Sequence, residues 1–127
     1  LRRSAVADQT KTGAELIAKE RARQVSAEGY DAEHDDCHGD GELAWAAVCY
    51  AAPERVYRMG TQDRSIVFGD PWPWDEDDDR RTFMGDEPFD NCELPDADRI
   101  DLLVKAGSLI AAEIDRLKRE QERSQDG

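Results

Sequence analysis

Three groups of residues in this 127-residue sequence have types and spacings that could do chemistry. The first is a set of carboxylates, Glu20, Glu28, Glu42 and Asp101, drawn from three predicted helices. Hard oxygen ligands of this kind suit Mg²⁺, and a divalent ion held against a phosphate chain would polarise it for attack by water. The second is a set of donors and rings. Arg21, Arg23, Gln24, Arg80, Arg81 and Lys105 could bind phosphate, while Tyr30, Trp72 or Trp74 could stack on a base. The third is the segment from Glu33 to Glu42, where His34, Cys37 and His38 are interleaved with carboxylates. His34 and His38 would meet on one side if that turn were helical.

Each group also has a plainer reading. The 33–42 segment matches no established metal motif, and as a solvated loop it would use Asp40 to cap the next helix and Asp35 or Asp36 to organise a turn. Trp72 and Trp74 could cover the core as a lid, and Arg80-Arg81 could pair with neighbouring acids. Arg21 and Gln24 could form a buried link to Glu28 or Glu42. Cys49, set among apolar residues in mid-helix, is expected to be inert. No Gly-rich phosphate loop is present, since Gly39-Asp40-Gly41 has neither the Walker nor the dinucleotide spacing.

Three helices must position these groups. Thr12-Gly13-Ala14-Glu15 is a capping-box pattern and starts the first helix, which runs to about Glu28 and stops at Gly29. Along its face Ile17, Arg21, Gln24 and Glu28 align, so an apolar beginning turns polar. The second helix spans Gly41 to about Ala52, capped by Asp40 and ended by Pro53. Its Leu43, Ala46, Ala47 and Tyr50 share a face, which predicts the most buried element. The third, about Asp98 to Gln121, repeats Ile100, Leu103, Gly107, Ile110, Ile114 and Leu117 at steps of three and four, and this stripe is expected to face the core. Gly107 within it, beside Ala106 and Ala111, would admit a close helix, with the Ala-rich second helix as the candidate.

The predicted fold class is therefore mainly α: a compact three-helix core with a long irregular Trp-containing connection between helices two and three. Residues 1–11 are expected to be a flexible tail, 12–121 a single helical domain containing the acidic connection 53–95, and 122–127 a frayed end. Arg64-Ser65-Ile66-Val67-Phe68 could be a short strand or an apolar anchor within that connection.

Composition narrows the partners. Thirty acids against 17 bases give a net charge of −13, and residues 25–54 carry eight acids and no base. Residues 69–98 carry twelve acids and two bases. Direct nucleic-acid binding through a basic face and attachment to anionic membranes are both disfavoured. The longest stretch without a charge, Leu43 to Pro53, is too short for a membrane span, and no apolar run of signal-peptide character follows the N-terminus. Cys37, Cys49 and Cys92 form an odd set without CxxC spacing, which suits reduced thiols in a cytoplasmic setting.

An ordered series of short segments carries a resemblance. It consists of Glu20-Arg21-Ala22-Arg23-Gln24, Glu28-Gly29-Tyr30, Glu33-His34-Asp35-Asp36, Gly41-Glu42-Leu43-Ala44, Ala46-Ala47, Tyr50-Ala51, Trp72-Pro73-Trp74, Arg80-Arg81, Leu103-Val104-Lys105-Ala106-Gly107 and Ile110-Ala111-Ala112-Glu113-Ile114. Over roughly residues 14 to 118 the chain resembles a group of small phage and prophage accessory proteins, from which it departs by a longer acidic insert, Thr82 to Asp98. The resemblance implies a viral or prophage origin and residence in the host bacterial cytosol. It implies no activity.

Three functions are then weighed. The preferred expectation is non-catalytic counter-defence: sequestration of a nucleotide-derived host immune signal, without a cofactor, through the donors and rings named above. The enzyme alternative is an Mg²⁺-dependent nucleoside-triphosphate pyrophosphohydrolase with Glu20, Glu28, Glu42 and Asp101 as ligands. Its likeness to the all-α enzymes of that class is architectural only, because their ExxE and ExxD motifs are not found in the expected helical places. The third is an acidic nucleic-acid mimic that inhibits a host defence protein. A small core beside a long apolar stripe also predicts a homodimer.

Overall fold

The computed structural model describes residues 10–85 and 87–126. Helix α1 is Gly13–Ala27, α2 is Ala32–Asp36, α3 is Glu42–Ala51 and α4 is Asp96–Asp126. Between α3 and α4 lie strands β1 (Arg58–Gln62) and β2 (Ser65–Gly69), then β3 (Phe83–Met84) and β4 (Glu87–Pro88). Each pair forms a separate antiparallel hairpin. The mainly helical class stands, but the core is not simply three helices: a short fourth helix, α2, precedes α3. The connection is not irregular throughout either, since it holds both hairpins and two 3-10 turns, Glu76–Asp78 and Asn91–Glu93.

Local chemistry explains the boundaries. At the start of α1 the Glu15 backbone N–H donates to Thr12 Oγ1 at 3.2 Å, and Glu15 Oε1 accepts from the Thr12 N–H at 3.1 Å. This is the reciprocal capping box expected there. α2 is capped by Asp31, whose side chain accepts from the His34 N–H. The start of α3 differs from expectation, because Asp40 provides no side-chain cap. Gly41 holds that position with φ +87, a left-handed conformation that favours glycine, and the Glu42 carboxylate accepts from the Asp40 N–H at 2.7 Å.

α3 and α4 form the heart of the molecule. Leu43, Ala46, Ala47 and Tyr50 pack against Leu102, Ala106, Leu109 and Ala112, with Ala51, Trp72, Trp74 and Leu94 at the margin. The expected α4 stripe does not supply this face. Ile100, Leu103, Ile110, Ile114 and Leu117 are all exposed, between 42% and 52%. At 100° per residue the buried line through Leu102 and Leu109 is rotated about 120° from the aliphatic stripe. The physical reason is close packing: alanines at 46, 47, 106 and 112 let the two helices approach, where a line of isoleucines would hold them apart. Gly107 does receive a close neighbour, but it is Ile17 of α1 and not the Ala-rich second predicted helix, which packs instead on the Leu102–Leu109 face.

α4 continues past Gln121 to Asp126. Its polar last turns are fastened to α2, with Arg119 Nη2 at 2.9 Å from Asp36 Oδ1 and Arg123 Nη1 at 3.2 Å from Asp36 Oδ2. The C-terminal end of α3 is satisfied from the acidic insert and from the first turn of α4. Asn91 Nδ2 donates to the carbonyls of Cys49 and Ala52 at 2.9 and 2.8 Å, and Arg99 donates to those of Tyr50 and Ala51 at 3.1 and 2.6 Å. Helix-end carbonyls lack intrahelical partners, and here the buried Asn91 and the half-buried Arg99 replace them. No helix among the described residues is long and apolar enough to cross a membrane.

Candidate functional site

α1, α2, the Trp segment and the N-terminal half of α4 enclose an open cavity of about 1160 Å³. Its polar side comes from Glu20, Arg23, Gln24 and Glu28 on and after α1 and from Asp101 and Lys105 on α4. Its aromatic side comes from six rings in unbroken contact. Tyr30 stacks on His34 with centroids 4.4 Å apart, and His34 meets His38 edge-on at 4.8 Å. His38 leads to Trp74 at 5.2 Å, Trp74 to Trp72 at 5.6 Å, and Trp72 to Tyr50 at 5.2 Å. Pro73, Asp75, Asp78, Arg80 and Leu109 complete the lining.

Carboxylates fix the two histidine rings. His34 Nδ1 lies 3.0 Å from Asp35 Oδ1 and His38 Nδ1 lies 3.1 Å from Glu42 Oε2. A carboxylate only accepts, so Nδ1 carries the proton in each ring and Nε2 is the acceptor of the neutral form. Asp35 is fully buried and is also held by Arg21 Nη2 at 2.7 Å.

The polar side is an ionic lattice. Arg23 donates to both oxygens of Glu20 at 2.7 and 2.8 Å and to Glu28 at 3.1 Å, while Lys105 Nζ stands 3.7 Å from Glu20 and 3.4 Å from Asp101. Burial disfavours the Glu20 carboxylate, but Arg23, Lys105 and Gln24 outweigh it and hold the group below its ordinary range. Arg80 is different: among the described residues its guanidinium contacts only the Asp77 carbonyl, at 3.3 Å. It is the lining cation without a carboxylate partner.

Two buried polar atoms of the lining residues have no hydrogen-bond partner among the described residues, Gln24 Oε1 and Trp74 Nε1. The Gln24 amide is oriented by its neighbours. Ser108 Oγ donates to the Lys105 carbonyl at 2.8 Å and so accepts from Gln24 Nε2 at 2.9 Å, and Glu20 takes the same amide at 3.2 Å. Oε1 is thereby left as a buried acceptor, and Trp74 Nε1 as a buried donor.

Of the sequence-predicted recognition residues, Arg23, Gln24, Tyr30, Trp72, Trp74, Arg80 and Lys105 line the cavity. Arg21 and Arg81 do not. Arg21 donates to the Tyr30 carbonyl and to Asp35, tying α1 to α2 rather than to Glu28 or Glu42. Arg81 is buried and paired with Asp79 and Asp70. Of the four carboxylates offered as metal ligands, Glu20, Glu28 and Asp101 reach the cavity, and Glu42 turns to His38. Among the described residues no three His, Cys, Asp or Glu side chains converge in a way that could hold a metal ion, including the 33–42 segment. Sequence reasoning did not place His34, His38 or Tyr50 in this wall. The i, i+4 spacing of the histidines was the usable signal.

Comparison with protein-family models, curated proteins and solved structures finds no match to this chain.

Proposed function

We propose that this protein binds and sequesters a nucleotide-derived small molecule without turning it over, and that as a phage-type accessory protein it removes a host immune signal. The observation that carries the reading is the meeting of Arg23, Gln24, Tyr30, Trp72, Trp74, Arg80 and Lys105, from distant parts of the chain, on one cavity. Rings with accessible faces can stack a base, and Arg80 offers an uncommitted charge-assisted donor to phosphate. Glu20 and Glu28 could accept from sugar hydroxyls. The phage resemblance of the sequence supports the counter-defence setting.

Mg²⁺-dependent pyrophosphohydrolysis is the second reading, favoured by Glu20, Glu28 and Asp101 lying on that same cavity. Against it, Arg23 and Lys105 already engage Glu20 and would have to be displaced by the ion.

Calorimetric titration with linear and cyclic nucleotides tests the main reading, with Arg80→Ala expected to weaken binding at least tenfold. Absence of binding at micromolar concentration across the panel would reject it. Pyrophosphate release from nucleoside triphosphates with Mg²⁺ or Mn²⁺, lost in Glu20→Gln, would establish the hydrolase instead.

A further inference from the structure

Resting on that reading, we propose that the ligand is a dinucleotide, two nucleobases joined through phosphate, rather than a single nucleotide. Size is the first argument. The cavity, about 1160 Å³, exceeds the ~300–1,000 Å³ of ordinary small-ligand sites, so one nucleotide would leave much of it to water.

Its walls repeat the same kind of contact. The Tyr30–His34 pair and the Trp72–Trp74 pair are separate aromatic platforms linked through His38, and both line the cavity. One base would use one platform. Arg80, the lining cation without a carboxylate partner among the described residues, sits beside the ring series, its backbone N–H donating to the Tyr50 hydroxyl at 3.0 Å. A phosphate bridge between two bases needs a charge-assisted donor on the same cavity as both platforms.

The unpartnered atoms give the third argument. Gln24 Oε1 on α1 and Trp74 Nε1 on the Trp segment belong to the polar and the aromatic lining of the cavity respectively and have opposite polarity. A buried group left unpaired costs about 1–3 kcal/mol, so a ligand presenting a donor to one and an acceptor to the other relieves both. Nucleobase edges carry donors and acceptors together, and two bases reach two walls.

The test titrates the full chain with AMP, ATP, the linear dinucleotide ApA, NAD and cyclic di-AMP, following heat and the quenching of tryptophan fluorescence. Base stacking on an aromatic side chain is worth about 1–3 kcal/mol. At least one dinucleotide should therefore bind, one per chain, at least tenfold more tightly than AMP or ATP. Tyr30→Ala and Trp74→Phe should each weaken that dinucleotide by several-fold, whereas only one of them should affect the mononucleotides. Trp74→Phe keeps an aromatic ring against the core while removing the Nε1 donor and part of the stacking area. If a mononucleotide binds as tightly as every dinucleotide, the inference is overturned and the nucleotide reading stands. If no compound of the set binds, both fall.

Discussion

The guanidinium of Arg81 donates to both carboxylate oxygens of Asp79, at 3.1, 3.1 and 2.7 Å, in a pair whose side chains are only 3% and 2% exposed. Its neighbour Arg80 lines the cavity, so adjacent residues have opposite duties. Removing one partner of a buried pair strands a charge, and Arg81→Ala should destabilise the fold by about 3–5 kcal/mol. Arg80→Ala should change stability by less than about 0.5 kcal/mol. Urea denaturation of the two variants, read beside their nucleotide titrations, checks the division. Equal effects on folding would refute it.

Leu109 and Ile110 are consecutive, yet they are 3% and 47% exposed. Leu109→Ala should cost about 2–5 kcal/mol through lost burial and a cavity. Ile110→Ala should change monomer stability by only a few tenths. A reversed order would show that the aliphatic stripe, not the alanine-rich face, fills the core.

That stripe also gives the expected homodimer a concrete surface. From Ile100 to Leu117 it extends about 25 Å along α4, and a second copy offers a line of the same length and chemistry. Light scattering should report a dimer that Ile110→Glu converts to monomer. A monomer for the unmodified chain at high concentration would dispose of the idea.

A β-carbon at Gly107 would stand 2.5 Å from Ile17 Cδ1 and 2.8 Å from its Cγ1. Gly107→Ala therefore combines a helix-propensity gain of up to about 1 kcal/mol with crowding of about 1–3 kcal/mol. The coupling has a definite sign. Ile17→Val should cost about 1 kcal/mol in the native background and distinctly less beside Gly107→Ala, because it removes the closest atom. Strict additivity in the double-mutant cycle would exclude the contact.

Glu20 supplies a pH dependence. Its carboxyl is held below the ordinary value of 4.5, so the unfolded chain binds its proton more readily than the folded one. The resulting stability is fully present above about pH 4.5 and is lost as pH falls through the lower folded value. Thermal midpoints of the unmodified protein should fall more steeply below pH 4.5 than those of Glu20→Gln. Parallel curves would mean that the lattice around Glu20 does not favour its charge.

Local signals read well where the interaction was local. The Thr12–Glu15 capping box lies within one turn, and Trp72 and Trp74 are conspicuous residues that both pack on the core and line the cavity. Hydropathy points to the wrong face of α4 because it ranks isoleucine above alanine, whereas helix approach depends on volume. Nothing near Asn91 announces that it serves three carbonyls at the end of α3, since its partners lie about forty residues earlier. α2 has five residues, too few to establish a period, and it alone brings His34 to Tyr30. The β1–β2 turn carries Asp63 and Arg64 at φ 50 and 69, where the usual Asn-Gly signal is missing.

Tyr50 joins the core and the cavity in one side chain. It is 4% exposed within the α3–α4 cluster, its ring meets Trp72, and its hydroxyl accepts from the Arg80 N–H at 3.0 Å and donates to the Asp78 carbonyl at 3.3 Å. Filling the cavity and unfolding the domain therefore share a participant, and the melting curve becomes a gauge of occupancy. A ligand at a hundred times its dissociation constant would add about 2.7 kcal/mol to the folded state. Heating the protein in crude small-molecule extracts would then rank them by content of any compound that fills the cavity, before its structure is known.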